Sequence, residues 1–152
     1  MKYNPVGRAN PRSRFVVNLI FMEFLLLTIQ FIIGIWMNLF APFPSFGTSF
    51  FMYGMMQVMF SVPELMVHMM NGILIGLVSL MIFMLLATGN DYRLSLLGGA
   101  ASFSILIAGI SGIEFMFSGF TNNAFSFLMS LGFIFTVIAY SSILYIVSNS
   151  RT

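Results

Sequence analysis

The chain has no cysteine, one histidine and very little charge. The first absence removes disulfides, thiolate metal sites and cysteine nucleophiles. A lone histidine cannot build a dizinc centre or a histidine-rich iron site, and it leaves a single imidazole base for any serine chemistry. Charged side chains make up 7% of the 152 residues and hydrophobic ones 59%, whereas a soluble domain carries about 25% charged residues. That balance belongs to an integral membrane protein. Missing as well are a phosphate loop, an H-E-x-x-H pair and a G-x-S-x-G elbow, so the sequence leans away from an enzyme. The net charge of +2 is small and sits in the polar flanks. Anionic lipid headgroups satisfy it, and no nucleic acid partner is implied.

What the chain does have is apolar runs of the length a bilayer demands, roughly 20 residues or more each. The segment MKYNPVGRANPRSR, 1–14, is basic and proline-bearing, and an unbroken apolar run from Phe15 to Phe40 follows before APFP stops it. A second helix, 62–87, opens at SVPE, where Ser61 and Glu64 have the spacing of a capping box and proline stands in the first turn. The polar turn GNDY with Arg93 separates it from a third helix, 94–118, which Gly119 ends. Thr121 or Asn122 caps a fourth, 122–147. Short connections after the second and third helices force antiparallel neighbours. The expected fold is all-α: a polytopic membrane protein with a four-transmembrane-helix antiparallel bundle over 15–148, and a tail at 149–152.

Charge orients this bundle. Lys2, Arg8, Arg12, Arg14, Arg93 and Arg151, all six basic residues, fall on the amino terminus, the second connection or the carboxyl terminus. Four spans place those on one side, and the positive-inside rule makes it cytoplasmic. The expected location is the cell membrane, multi-pass, with both termini inside. A cleaved signal peptide fits less well, because the first apolar run is too long and no A-x-A-like site follows it.

The first external connection, 41–60, should be polar if it meets water, yet PSFGTSFFMYGMMQVMF carries no charge. It is expected to lie in the membrane interface. Met52, Met55, Met56 and Met59 recur at helical spacing, so a short amphipathic helix can set them on one face, over the bundle or against another membrane subunit. Methionine is an adaptable apolar filler. Thioethers also favour Cu(I), with His68, Met66, Met69 and Met70 close in sequence.

The single histidine sits in HMMNGILIG, inside the second helix. Counted from Ser61 at about 1.5 Å per residue, His68 lies roughly 10 Å inside the outer end, and Met129 reaches a similar depth in the fourth helix. Glu114 and Asn38 also stand near the outer end, with Glu64 four residues before His68 on the same helix face. Polar side chains in a span face inward. Three chemistries fit such a layer. His68 and Met129 can be axial ligands of a b-type haem, with Gly72 and Gly76 leaving room for a flat macrocycle. His68 and Glu114 can exchange protons or hold a quinone headgroup. The plainer alternative gives the glycines to close helix packing and His68 a hydrogen bond to Glu114, Asn38 or a backbone carbonyl. Glu64 reads mainly as the capping-box partner.

Glu23 sits two to three turns inside the cytoplasmic end of the first helix, with Gln30 two turns further on. An isolated carboxylate at that depth is either protonated or paired. It reads as a packed, hydrogen-bonded residue first, and as the inner step of a proton path second.

The stretches GIWMNLF, HMMNG and GFTNNAFSFLM together resemble a group of small four-helix integral membrane proteins of actinobacteria and archaea. The likeness covers roughly 30–140, with Gly34, Asn38, His68, Gly72, Asn122 and Met129 among its landmarks. It implies the four-span fold and the outer-layer constellation, and no particular chemistry. Members often have a more polar external loop and a longer basic tail. The greasy loop here favours burial against another subunit. The expected function is therefore a small accessory subunit of a larger membrane complex, with a redox or proton-active site in its outer layer. The alternative is a free-standing haem, quinone or Cu(I)-binding membrane protein.

Overall fold

A computed structural model describes residues 11–41, 43, 58 and 60–149. They form four helices: α1 (Pro11–Phe40), α2 (Pro63–Ala87), α3 (Tyr92–Phe117) and α4 (Asn123–Asn149). Each is long and apolar enough to cross a membrane, and the tight connections at 88–91 and 118–122 make successive helices antiparallel. The methionine stripe expected at Met52, Met55, Met56 and Met59 lies outside the described residues.

Local chemistry sets the helix ends. α1 is helical from Pro11, the first described residue, four residues before the apolar run. The capping box expected at Ser61 and Glu64 is not made. Val62 occupies the cap position of α2 with no side-chain hydrogen bond. The Ser61 hydroxyl instead donates to Val58 O at 3.2 Å, because Ser61 already belongs to a preceding helical turn closed by Val62 N and Val58 O at 2.9 Å. α3 begins two residues ahead of Leu94, where Asp91 accepts from Arg93 N at 2.9 Å. It ends in a Schellman turn: Phe120 N reaches Phe115 O and Gly119 N reaches Met116 O, both at 3.0 Å. Gly119 and Phe120 both take left-handed backbone, φ 66° and 62°. The Phe115 and Phe120 rings meet edge to face at 5.7 Å, the apolar contact that accompanies such a turn. Asn122 caps α4, accepting from Ala124 N at 3.1 Å.

The helices follow one another around the bundle. α3 and α4 approach most closely, because Gly132 brings α4 backbone against Ser104 and Ala108 of α3. Gly98 and Gly99 do the same for α3 against Leu86 and Phe83 of α2. Among neighbours around the bundle α1 and α4 touch least, through Phe24 on Tyr140 and a Phe31–Phe133 stack at 5.1 Å. Large apolar residues such as Phe21, Leu39, Leu77 and Phe103 point outward along every helix, which is the surface a bilayer solvates.

Two apolar clusters fill the interior. One, at the end holding Arg14 and Arg93, comprises Val16, Leu19, Ile20, Val78, Ile82, Leu86, Ala101, Ala139, Tyr140 and Ile143. The other, at the opposite end, comprises Met37, Val58, Val62 and Leu65. Between them, Gln30 on α1 and His68 and Asn71 on α2 meet as a group of polar side chains, flanked by Leu26 and Met69, which pack against the first and second cluster.

Candidate functional site

Those polar side chains form one bonded group. Gln30 and His68 face each other across α1 and α2, with Gln30 Nε2 and His68 Nε2 3.0 Å apart. Asn71, three residues along α2 and therefore on the same face as His68, donates from one amide nitrogen to both Gln30 Oε1 at 2.8 Å and Leu26 O at 3.0 Å. Two glycines make room for this arrangement. A Cβ on Gly72 would lie 3.3 Å from Gln30 Nε2, and one on Gly34 would lie 3.4 Å from His68 Cε1. The other ring nitrogen, Nδ1, is buried and has no hydrogen-bond partner among the described residues.

Glu23 lies seven residues before Gln30, on nearly the same face of α1 and about 10 Å away along the axis. It is fully buried, and neither carboxyl oxygen has a hydrogen-bond partner among the described residues. Next to it, Phe24 meets the Tyr140 ring edge on, with centroids 6.3 Å apart. Tyr140 in turn starts a hydroxyl chain: its OH donates to Ser79 Oγ at 2.7 Å, and Ser79 and Ser102 hydroxyls are 2.9 Å apart. Ser102 Oγ donates to Ser79 O at 3.1 Å. Ser79 Oγ accordingly donates to Ser102, and the chain ends on a backbone carbonyl. Its members are satisfied; Glu23 is not.

The residues expected in an outer layer fall in several places. His68 is in the interior, but its partner is Gln30. Asn38 and Glu114 are exposed at the end opposite Arg14 and Arg93, and Glu64 is half-buried in the first turn of α2. Met129 turns its sulfur toward α3, where a Cβ on Gly112 would lie 3.2 Å from it. Gly76 has open space beside it. Among the described residues no three His, Asp or Glu side chains gather as metal ligands.

A b-type haem does not fit this geometry. His68 Nε2, the nitrogen that would have to reach the iron past Gly72, is engaged by Gln30, and the ring edge carrying Cε1 and Nδ1 lies beside Gly34. The room beside Gly72, expected for such a ring, holds the Gln30 amide.

Asn71 is the member that sequence reasoning passed over. Its signal was present, since His68 and Asn71 stand three residues apart on an otherwise apolar helix. Gln30 was visible as a polar residue of α1, but only a three-dimensional pairing of α1 with α2 could join it to His68. Comparison with family models, curated proteins and solved structures finds no match, so the resemblance to the actinobacterial and archaeal group does not amount to a family assignment.

Proposed function

We propose that this polytopic membrane protein handles protons in its interior, with His68 and Glu23 as the two exchanging groups and no haem between them. The observation that carries the reading is Glu23: a fully buried carboxyl to which the described residues offer no hydrogen bond. A charge in such a core costs several kcal/mol unless something pairs it, and intramembrane carboxyls and imidazoles serve ion and proton pathways. Its neighbours on the same face of α1, Leu19, Ile20 and Leu27, are buried apolar residues, so stability alone would favour leucine there.

Reconstituted in vesicles holding a pH-sensitive dye and given a potassium diffusion potential, the protein should conduct protons inward. Glu23→Gln should reduce that flux to the level of protein-free vesicles. Wild-type flux no greater than that of Glu23→Gln would overturn the reading.

The same proposal keeps both termini cytoplasmic, because the described basic residues Arg14 and Arg93 are exposed at one end. Single cysteines at Ser13 and Asn90 should resist an impermeant thiol reagent in intact cells, and one at Thr121 should label. The reverse pattern would invert the path. An accessory role fits the greasy 41–60 connection, and gentle detergent extraction should then retain a membrane partner. A chain that is extracted alone and conducts by itself would replace that role with a free-standing one.

A further inference from the structure

We infer that Asn71 and Gln30 are positioning residues that lock His68 as a neutral imidazole with its proton on Nδ1, toward Gly34, and its acceptor nitrogen toward Gln30. For His68 as a proton carrier this rests on the proposed function above; the lock itself stands on geometry alone.

The anchor is a backbone carbonyl, which cannot exchange donor for acceptor. Leu26 O lies 3.0 Å from Asn71 Nδ2. Turning the Asn71 amide over would set its oxygen against that carbonyl, two acceptors in contact, so the nitrogen must face Leu26. The second hydrogen of the same nitrogen is then directed at Gln30, 2.8 Å away. Only the Gln30 oxygen can receive it, and this fixes the Gln30 amide in turn. Its nitrogen is left facing His68 Nε2 at 3.0 Å. An amide nitrogen is a donor only, so Nε2 must be an acceptor and carry no proton. In a neutral ring the proton is then on Nδ1.

Four groups on two helices thus set one tautomer, starting from a single carbonyl. Gly72 contributes by leaving space for the Gln30 amide, and Gly34 by leaving space for the ring. The consequence is directional. The imidazole can donate through Nδ1, on the side of Gly34 and the outer cluster. On the side of Glu23 it meets an amide that neither accepts from Nε2 nor releases a proton. Passage between His68 and Glu23 therefore requires the Gln30 amide to turn away first, which breaks both of its bonds.

The test uses the fact that His68 is the chain's only histidine. The full-length protein, made without a polyhistidine tag and labelled with 15N-histidine, is placed in phosphatidylcholine vesicles. Solid-state NMR then reads which ring nitrogen is protonated. The expected spectrum has a protonated Nδ1 and an unprotonated Nε2; a protonated Nε2 in the wild type would overturn the lock.

Gln30→Glu supplies the decisive variant. A carboxyl that keeps its proton still donates to Nε2, whereas an ionised one only accepts, so at alkaline pH the neutral ring's proton should move from Nδ1 to Nε2 while Asn71 still donates to the other oxygen. An unprotonated Nε2 in Gln30→Glu at alkaline pH, with the 13C shift of the introduced carboxyl showing it ionised, would also overturn the proposal. Asn71→Ala removes the anchor and should give a mixture of tautomers, and a spectrum identical to wild type would exclude Asn71 from the mechanism. A locked tautomer in a protein that conducts no protons would leave the positioning residues in place and remove the proton-handling function alone.

Discussion

The α3–α4 and α1–α2 interfaces join helices of similar length and hydropathy by opposite means. Between α3 and α4 the backbones approach through Gly132, Ala108 and Ser104, and the hydroxyls there bond mainly inside their own helices: Thr136 donates to Gly132 O and Ser104 to Ala100 O, both at 2.8 Å. Only a long contact from the Thr136 hydroxyl to Ala101 O, 3.5 Å, crosses beside them. Between α1 and α2 the helices are tied by Gln30, His68 and Asn71, and this half holds every buried side-chain atom without a partner among the described residues. One interface is built for packing, the other for groups that can change partner. In lipid, where no hydrophobic force drives helices together, small-residue packing supplies the stability that a polar interior weakens.

The largest effect should come from breaking the packed interface. A Cβ on Gly132 would fall 2.7 Å from Ser104 O and 2.8 Å from Ala108 Cβ, and backbone cannot yield as a side-chain tip can. Gly132→Ala should therefore cost about 1–3 kcal/mol, the range for overpacking a filled site. Gly132→Leu should prevent the bundle from forming. Helicity and gel mobility through an SDS titration in mixed micelles measure both, and a neutral Gly132→Ala would show that α3 and α4 are not held so closely.

Glu23→Leu sharpens the contrast from the other side. Removing a buried carboxyl with no partner, at similar volume, should raise stability by about 1–3 kcal/mol, the usual cost of an unsatisfied buried group. The same variant should abolish proton flux. A loss of stability in the same titration would mean that Glu23 is held by a contact, and would withdraw the observation on which the function rests.

Tyr140→Phe probes the satisfied hydroxyl chain beneath Glu23. It removes one bond to Ser79 and leaves the Ser79–Ser102 pair intact, so it should cost about 0.6 kcal/mol, typical of interhelical hydrogen bonds in membranes. A much larger loss would show that the Tyr140 hydroxyl supports the core beyond that one bond.

How much of this was legible in the sequence differs by level. The four spans and their antiparallel order follow from apolar runs and short connections, because a bilayer imposes length and internal backbone bonding on each span. Gly119 as the stop of α3 and Asn122 as the cap of α4 were also readable, since both act within a few residues. The capping box at Ser61 and Glu64 was a local pattern defeated by a local rival, the turn that includes Val58. The site was harder. Depth counting put His68 in a layer with Asn38, Glu114 and Met129, but depth says nothing about which way a side chain faces. Facing depends on the rotation of each helix against its neighbours, and that is settled by packing at Gly34, Gly72 and Gly132. Glu23 and Gln30 were visible as polar residues on one stripe of α1; that Gln30 would take His68 as partner was not.

The smallest expected effect tests whether the α1–α2 interface tolerates what α3–α4 should refuse. A Cβ on Gly34 would lie 3.4 Å from His68 Cε1 and 3.9 Å from Nδ1, ordinary contact distances with a side chain that can shift slightly. Replacing glycine by alanine within a helix gains roughly 0.5–1 kcal/mol in backbone entropy. Gly34→Ala should therefore be neutral to slightly stabilising in the titration where Gly132→Ala loses stability. Because the added methyl meets the ring edge and none of the hydrogen bonds, the 15N spectrum of His68 should keep its proton on Nδ1. A destabilisation matching that of Gly132→Ala would show that α1 and α2 are as tightly closed as α3 and α4, leaving the imidazole no freedom to pass a proton.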